Sequence, residues 1–158
     1  MPDRSKREQI LRALVDLWNE GSRPDGLTVH RSPARPIQSD ELPALAVSMD
    51  PGSDDAAERV VRLDHSPGVE RIMRVRAEIR TAGADVDSLH DETDEIYVWV
   101  IEQVALDRTL DGLCEDIVEV EGDFAAAEAD MTYQAQGVGF DVTYFTSEDD
   151  PTAAPEAP

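Results

Sequence analysis

The chain has few of the features that mark secreted and membrane proteins. It contains one cysteine, Cys114, which excludes an internal disulfide and a cysteine-based zinc site within one chain. The longest uncharged apolar run is Ile96–Ile101, far below the roughly 20 residues that cross a bilayer. The first residues, MPDRSKREQI, are charged along their length. We therefore expect no secretory signal, and a protein that works in or is assembled in a cytoplasm.

Basic residues are nearly missing from the second half of the sequence. Residues 85–158 contain one basic residue, Arg108, and 21 acidic residues, so they carry 1 − 21 = −20 of the total net charge of −21. Such a surface repels phosphate, which argues against a protein that reads or slides along nucleic acid. Two interpretations stay open: solubility or adaptation to high salt, and a surface that lies near DNA without binding it.

Length and composition predict one domain followed by a tail. The 158 residues have room for one hydrophobic core, and 41% of them are hydrophobic. We place the domain at residues 1–146. Residues 147–158, SEDDPTAAPEAP, have three prolines, four acids and no apolar side chain larger than alanine, so they are predicted to form a disordered acidic tail.

Hydrophobic periodicity predicts a helix and several strands in the first half. Residues 4–20 carry one apolar stripe at helical spacing, and Gly21 follows as a C-cap. Alternating apolar residues then predict four strands, at 27–31, 44–49, 60–63 and 69–80, of which the last has the clearest alternation. The proline-rich residues 32–43 are predicted to be an irregular connection. A Ser-Pro-Gly turn at 66–68 indicates that the last two of these strands form a hairpin.

A second, longer helix opens the acidic half. It begins with Asp85 or Asp87 as N-cap, because carboxylates suit a helix N-terminus, and it continues to Ala105. Beyond it the pattern predicts a short connector, a strand, a mobile acidic loop and a closing strand, at 106–114, 117–121, 122–136 and 138–146.

No pattern in the chain carries catalytic or metal chemistry. The histidines are isolated from one another and show no metal-ligand spacing: His30, His65 and His90. Cys114 has no histidine nearby in sequence, so a buried free cysteine is favoured over a nucleophile. Gly137 and Gly139 precede a strand and lack the third glycine of a dinucleotide loop. We therefore predict no catalytic residue, no metal and no cofactor, and a protein that is not an enzyme.

The order of elements resembles that of a structural protein family. The segments that carry the likeness are REQILRALVDLW, RSPARPIQSDELPALAVSM, RIMRVRAEIRTAG, LDRTLDGLCEDI and VGFDVTYFT. An arginine-flanked loop leads through an ELPAL-like phrase into a strand, a TLDGL-like phrase follows the long helix, and an aromatic strand closes the domain. In these features residues 4–146 resemble the tail terminator proteins of long-tailed bacteriophages, the family typified by minor tail protein U of phage lambda.

The resemblance implies both a fold and a function. The fold would be α/β (α+β), with a mixed or antiparallel sheet of about five strands and two main helices packed on one face. Six copies would form a ring that caps the tail tube, ends its polymerisation and forms the tail side of the head–tail junction. The partners would be other copies of the chain, the tail tube protein and a head–tail connector or neck protein. DNA would pass through without specific binding, no membrane would be involved, and the protein would sit at the head-proximal end of the virion tail.

Candidate contact residues follow from that function. The subunit interface is expected to use the charged face of the 69–80 strand against acids of the long helix: Arg74, Arg76, Glu78 and Arg80, with Asp91 and Glu95. The alternative is that these arginines pair with acids inside one subunit. Contacts with the tube or connector are expected from two loops, at Arg31, Arg35, Glu41, Asp123 and Phe124. Acids that line the ring's lumen are expected at Glu119, Glu121, Asp123, Glu128 and Asp130.

Two other functions stay open. The chain could be another neck protein, such as a head-completion adaptor. From a different class, it could be an acidic DNA mimic that inhibits a nucleic-acid-binding protein. A small hydrolase would need a pocket with perturbed carboxylates, and no motif in the sequence indicates one.

Overall fold

The structure, a computed structural model, describes residues 4–31, 36–49, 58–62, 68–128, 132–147, 150 and 152. The elements in chain order are α1 (Lys6–Glu20), β1 (Thr28–Arg31), a 3₁₀ turn (Ser39–Glu41), β2 (Ala44–Met49), β3 (Glu58–Arg62), β4 (Gly68–Gly83), α2 (Val86–Leu106), β5 (Asp116–Glu128) and β6 (Thr132–Ser147). The predicted disordered tail lies outside the described residues, apart from Ser147, Asp150 and Thr152.

The strands form one mixed sheet in the order β1-β2-β4-β6-β5. Strands β1 and β2 are parallel, and the other pairs are antiparallel. Strand β3 also pairs with β4, over residues 69–73, beyond the stretch where β2 pairs with residues 75–80. The α+β fold is thus confirmed, with six strands where about five were expected. The predicted antiparallel pairing of β3 with β4 is confirmed as well, while residues 66 and 67 of the predicted turn lie outside the described residues.

Strand β4 divides the two faces of the sheet as its alternation predicts. Met73, Val75, Ala77 and Ile79 are fully buried in the core, while the residues between them are half-buried on the other face. Helix α1 packs against β1 and β2, and α2 packs against β4 and β6, so that both helices cover the buried face. The hydrophobic core lies between the helices and this face.

Helix α1 follows its predicted stripe. Ser5 is the N-cap, and its hydroxyl accepts a 3.4 Å hydrogen bond from the backbone N–H of Glu8. At the other end Trp18 is fully buried, donates its indole N–H to the carbonyl of Val100 at 3.4 Å, and lies with its ring centroid 6.1 Å from that of Phe140. Trp18 thereby joins α1 to α2 and to the sheet.

Helix α2 begins at the predicted N-cap. The carboxylate of Asp85 accepts hydrogen bonds from the hydroxyl and the backbone N–H of Ser88, and these bonds lower the pKa of Asp85. The side chains of α2 that face the core are spaced at the helical period and are buried: Leu89, Thr93, Ile96, Trp99, Val100 and Val104. Val86 in the first turn is exposed. Within the described ranges no helix is long and apolar enough to cross a bilayer.

The prediction of a mobile loop over residues 122–136 is wrong. Strand β5 continues to Glu128 and β6 begins at Thr132, and the two are paired from Gly122 opposite Val138 to Glu128 opposite Thr132. Residues 129–131 lie outside the described residues. The sequence of this segment does not show the alternation typical of a strand. Strand β5 lies at the edge of the sheet and carries three alanines and several acids, so few large apolar residues alternate along it. A shift in register between Glu119 and Glu121 marks a β-bulge in this edge strand.

A chain of buried polar side chains fixes α2 on the sheet. The hydroxyls of Thr81 on β4 and Thr93 on α2 are 2.8 Å apart, and Thr93 donates to the side-chain oxygen of Gln134 on β6 at 2.9 Å. The amide nitrogen of Gln134 lies 2.7 Å from Nδ1 of His90. His90 is an exposed residue, so the chain of polar groups ends at the surface. Because each of these buried groups has a partner, their hydrogen bonds offset the cost of removing them from water and fix the position of α2 on the sheet.

We predict that Thr93→Val destabilises the fold by about 1–3 kcal/mol, because it leaves the buried polar groups of Thr81 and Gln134 without their shared partner. The measurement is urea unfolding followed by circular dichroism. Thr143→Val makes the same chemical change at a half-buried position of β6 and serves as the control. An equal loss of stability in both variants would contradict the role assigned to this polar chain.

Candidate interaction surfaces

The sheet face opposite the helices carries a row of ion pairs. Arg74 forms a bidentate pair with Asp141 of the neighbouring strand, with Nε 2.9 Å from Oδ1 and Nη2 3.2 Å from Oδ2. Arg76 reaches Asp123 of β5, with Nη2 2.7 Å from Oδ1. The carboxylate of Glu78 lies between two arginines. Its Oε2 is 3.6 Å from Nε of Arg76, and its Oε1 accepts a hydrogen bond from Nε of Arg80. Their charges are therefore compensated within one chain.

The structure does not bring Asp91 and Glu95 to these arginines. Both acids are exposed on α2, which packs on the opposite face of the sheet. The pairing seen in one chain is the alternative that the sequence left open. Participation of Arg74, Arg76, Glu78 and Arg80 in a subunit interface stays a prediction.

Gly137 makes the pair of Arg76 and Asp123 possible. It lies on β6 opposite Glu78 on β4 and Asp123 on β5. Because Gly137 has no side chain, the side chains of Arg76 and Asp123 can meet over its backbone. A Cβ atom at this position would lie 2.1 Å from Oδ1 of Asp123 and 2.3 Å from Nη2 of Arg76, well inside van der Waals contact. The glycine therefore serves close packing on a strand.

We predict opposite effects of Gly137→Ala in two backgrounds. In the wild-type chain the new methyl group separates Arg76 from Asp123 and lowers stability by up to about 1 kcal/mol. In an Arg76→Ala/Asp123→Ala background the pair is gone, and alanine stabilises the strand relative to glycine because it restricts the unfolded chain more. Urea unfolding of the wild type and the three variants tests this. A loss of equal size in both backgrounds would contradict it.

The predicted lumen acids lie on or next to β5. Glu119 is exposed and accepts a 2.9 Å hydrogen bond from the hydroxyl of Tyr97 on α2. This bond to a carboxylate, together with partial burial, raises the pKa of Tyr97. Asp123 is exposed on the opposite face, in the pair with Arg76. The backbones of Glu121, Phe124 and Glu128 belong to β5 but their side chains are outside the description, and Asp130 lies outside the described residues.

The predicted tube or connector residues near the proline-rich connection have local partners. Arg31 pairs with Glu8 of α1. Glu41 has a structural role, since its carboxylate accepts from the backbone N–H of Gln38 at 2.8 Å and its carbonyl accepts from the hydroxyl of Thr28 at 2.8 Å. Arg35 lies outside the described residues.

Helix α2 carries charge that the described structure leaves uncompensated. Its sequence contains no lysine or arginine and six carboxylates: Asp87, Asp91, Glu92, Asp94, Glu95 and Glu102. None of the six forms an ion pair with another described residue. Asp91 and Glu95 are four residues apart and Glu92 and Glu95 three, so these like charges are neighbours on the helix surface and destabilise it.

A groove runs between these acids and the turn that follows α1. One part is a cleft of about 360 Å³ whose lining includes Arg23, Pro24, Glu92, Glu95 and Ile96. The adjoining part, about 400 Å³, shares Arg23, Pro24 and Glu95 with the first. Its lining also includes Val98, Trp99 and Glu102. We call this combined surface the acidic groove. Arg23 lines both parts, but its guanidinium donates to Oδ1 of Asn19 at 3.1 Å and forms no ion pair with a described carboxylate. The exposed side chain of Val98 lies beside Glu95 and Glu102 in the groove, an arrangement that suits a cation on an aliphatic stem.

Two polar groups in the acidic groove are poorly satisfied. Burial, with the charge of Glu95 next to it, raises the pKa of Glu92 above its model-peptide value of 4.5. Trp99 is 8% exposed, and its indole N–H is buried without a hydrogen-bond partner in the described structure. A cation beside Glu92 would offset the raised pKa of its carboxyl, whereas the indole N–H of Trp99 is a donor that a cation does not satisfy.

The raised pKa of Glu92 makes a pH-dependent prediction. A carboxyl whose pKa is higher in the folded chain than in the unfolded chain lowers the stability of the fold as the pH rises from the unfolded-state pKa through the folded-state pKa. Glu92→Gln should therefore stabilise the monomer at pH 7 and lose that benefit below about pH 4.5. Urea unfolding at both pH values measures the difference. Glu102→Gln removes one charge from the same helix and controls for net charge; equal pH dependence in both variants would contradict the prediction.

Cys114 is buried, as expected. Its thiol lies 3.6 Å from the carbonyl oxygen of Arg108, and burial together with the charges of Asp107 and Asp116 raises its pKa from 9.0 to about 12. Such a thiol stays protonated at neutral pH and is a poor nucleophile. Among the residues that the structure describes, no three His, Cys, Asp or Glu side chains gather in a way that could hold a metal ion.

Sequence reasoning missed several residues of these surfaces. Asp141 and Gln134 lie on β6, and only the register of β6 with β4 and its packing on α2 give them partners. Glu92 was not singled out by the sequence analysis. The position of Glu92 three residues before Glu95 was the available signal, because it places two carboxylates side by side on a helix. The turn that completes the groove comes from residues 22–25, far away in sequence.

Comparison with known proteins does not place the chain: no family model matches this sequence, and no curated protein shows significant similarity to it.

Proposed function

We propose that this protein is a tail terminator of a long-tailed bacteriophage. It forms a ring, expected to be a hexamer, that caps the tail tube, ends its polymerisation and provides the tail side of the head–tail junction. The observation that carries this proposal is the order of elements. The helix, the strands around a proline-rich connection, the hairpin, the long helix and the two last strands follow the order that the resemblance implied, with both helices on one face of a mixed sheet.

The size of the chain is compatible with a ring around DNA. A globule of this length has a radius of gyration of roughly 15 Å, and an equivalent sphere roughly 39 Å across. Six touching spheres of that size leave a central hole about as wide as one sphere, which admits duplex DNA. Acidic side chains at the hole would keep the duplex moving by phosphate repulsion. The acids of β5, among them Glu119 and Asp123, are our candidates for this lining.

The unpaired carboxylates of α2 favour one alternative from another class. A DNA mimic presents carboxylates to a basic protein, and α2 offers six that have no described cation. Such a protein would bind its target as a monomer or dimer. A neck or head-completion adaptor is the other alternative, because it would share the virion context and bind the portal side.

We predict that the purified protein stops the growth of tail tubes. Tube protein that polymerises alone should give long tubes of varied length, and addition of this chain should arrest growth and leave a ring at one end. Negative-stain electron microscopy measures tube length and end structure. A heat-unfolded sample of the same chain is the control.

Three outcomes separate the candidates. Rings at tube ends support the terminator. Binding to a portal-side connector with unchanged tube growth indicates a neck adaptor. A monomer that ignores tubes and binds a nucleic-acid-binding protein in competition with duplex DNA indicates the mimic, and it overturns the proposed function.

A further inference from the structure

We propose that the acidic groove is the docking site for the basic N-terminal turn of α1 from a second copy of this chain. The partner residues are Arg4 and Lys6. The proposal rests on the proposed ring and names the contact by which neighbouring copies would join.

The groove has the chemistry of an arginine or lysine site. Glu92 and Glu95 offer carboxylate oxygens close together, and Glu102 offers another along the helix. Val98, which is 44% exposed, provides apolar surface for an aliphatic stem beside Glu95 and Glu102. A cation placed here would pair with like charges that now repel each other, and arginine can bind a carboxylate through two parallel hydrogen bonds.

The N-terminal turn of α1 offers the matching charge. Arg4 is exposed and Lys6 half-buried, and neither forms an ion pair with another described residue. Their position is unfavourable within one copy, because the N-terminus of a helix carries a partial positive charge. The sheet arginines, by contrast, already have carboxylate partners in their own chain.

The two surfaces lie at opposite ends of α1. The groove is lined by Ser22, Arg23 and Pro24, which follow the C-terminus of the helix, whereas Arg4 and Lys6 stand at its N-terminus. A helix of 15 residues is about 22 Å long, so one copy cannot insert its own basic turn into its own groove. Contact between two different patches is heterologous, and repeated contacts of this kind form a ring when the rotation from one copy to the next closes.

The composition of the chain allows a direct test by cross-linking. Lys6 is its only lysine. A carbodiimide joins a lysine amine to a carboxylate in direct contact with it, with loss of water. We would mix unlabelled and ¹⁵N-labelled copies at assembling concentrations or with tube ends, add the carbodiimide and map the products by mass spectrometry. The expected product joins Lys6 of one copy to Glu92, Glu95 or Glu102 of another.

Charge exchange provides an independent test. Arg4→Glu/Lys6→Glu and Glu92→Arg/Glu95→Arg should each weaken association by roughly tenfold or more, and a mixture of the two variants should associate again. Sedimentation velocity measures this. Asp16→Arg/Asp40→Arg changes the charge by the same amount at exposed acids outside the groove and should leave association unchanged. Lys6→Arg keeps the charge, so it should abolish the cross-link but preserve assembly.

The outcomes separate this proposal from the proposed function. Rings that cap tubes without the cross-link, and without any effect of charge exchange, overturn the docking site and leave the function intact. Copies that join through Lys6 and the groove but do not cap tubes support the docking site and overturn the function. A chain that remains monomeric at high concentration and with tube ends, while a basic protein fills the groove, overturns both.

Discussion

The pairing of β4 with β6 is the interaction on which the rest of the structure depends. The two strands are aligned over 16 residues, about 50 Å of continuous antiparallel ladder. This ladder places Val75 opposite Phe140 and Met73 opposite Val142 in the core, and it places Arg74 opposite Asp141 on the other face. Strands β2 and β3 pair with β4, β5 pairs with β6 on the other side, and β1 extends the sheet beyond β2. Both helices pack on the apolar face of this sheet.

Charge is distributed on this framework in two ways. On the open face of the sheet, arginines of β4 meet acids of β5 and β6, so positive and negative groups compensate each other inside one chain. On α2 the carboxylates have no such partners among the described residues, and burial of Glu92 beside Glu95 makes their repulsion more costly. A surface that is unfavourable in the isolated chain is well suited to a contact between chains, because docking of a cation removes the penalty.

The sequence predicted the elements whose apolar residues repeat with a clear period. The stripe of α1, the alternation of β4 and the N-cap at Asp85 were sufficient, because each is a local pattern of burial or capping. It failed for residues 122–136, where the edge strand β5 has neighbours on one side only and no alternating apolar face. The arginine row of β4 was visible as a wet face, but the identity of its partners was not.

The sequence alone therefore determined the α+β class, one core, two amphipathic helices and the strong acidity of residues 85–158. Tertiary structure decided which charges meet: Arg76 with Asp123 across Gly137, and Glu92 and Glu95 beside the turn at residues 22–25. The physical reason is range. Periodicity and capping act within a few residues of the chain, whereas ion pairs and grooves form between strands and helices that only the register of the sheet brings together.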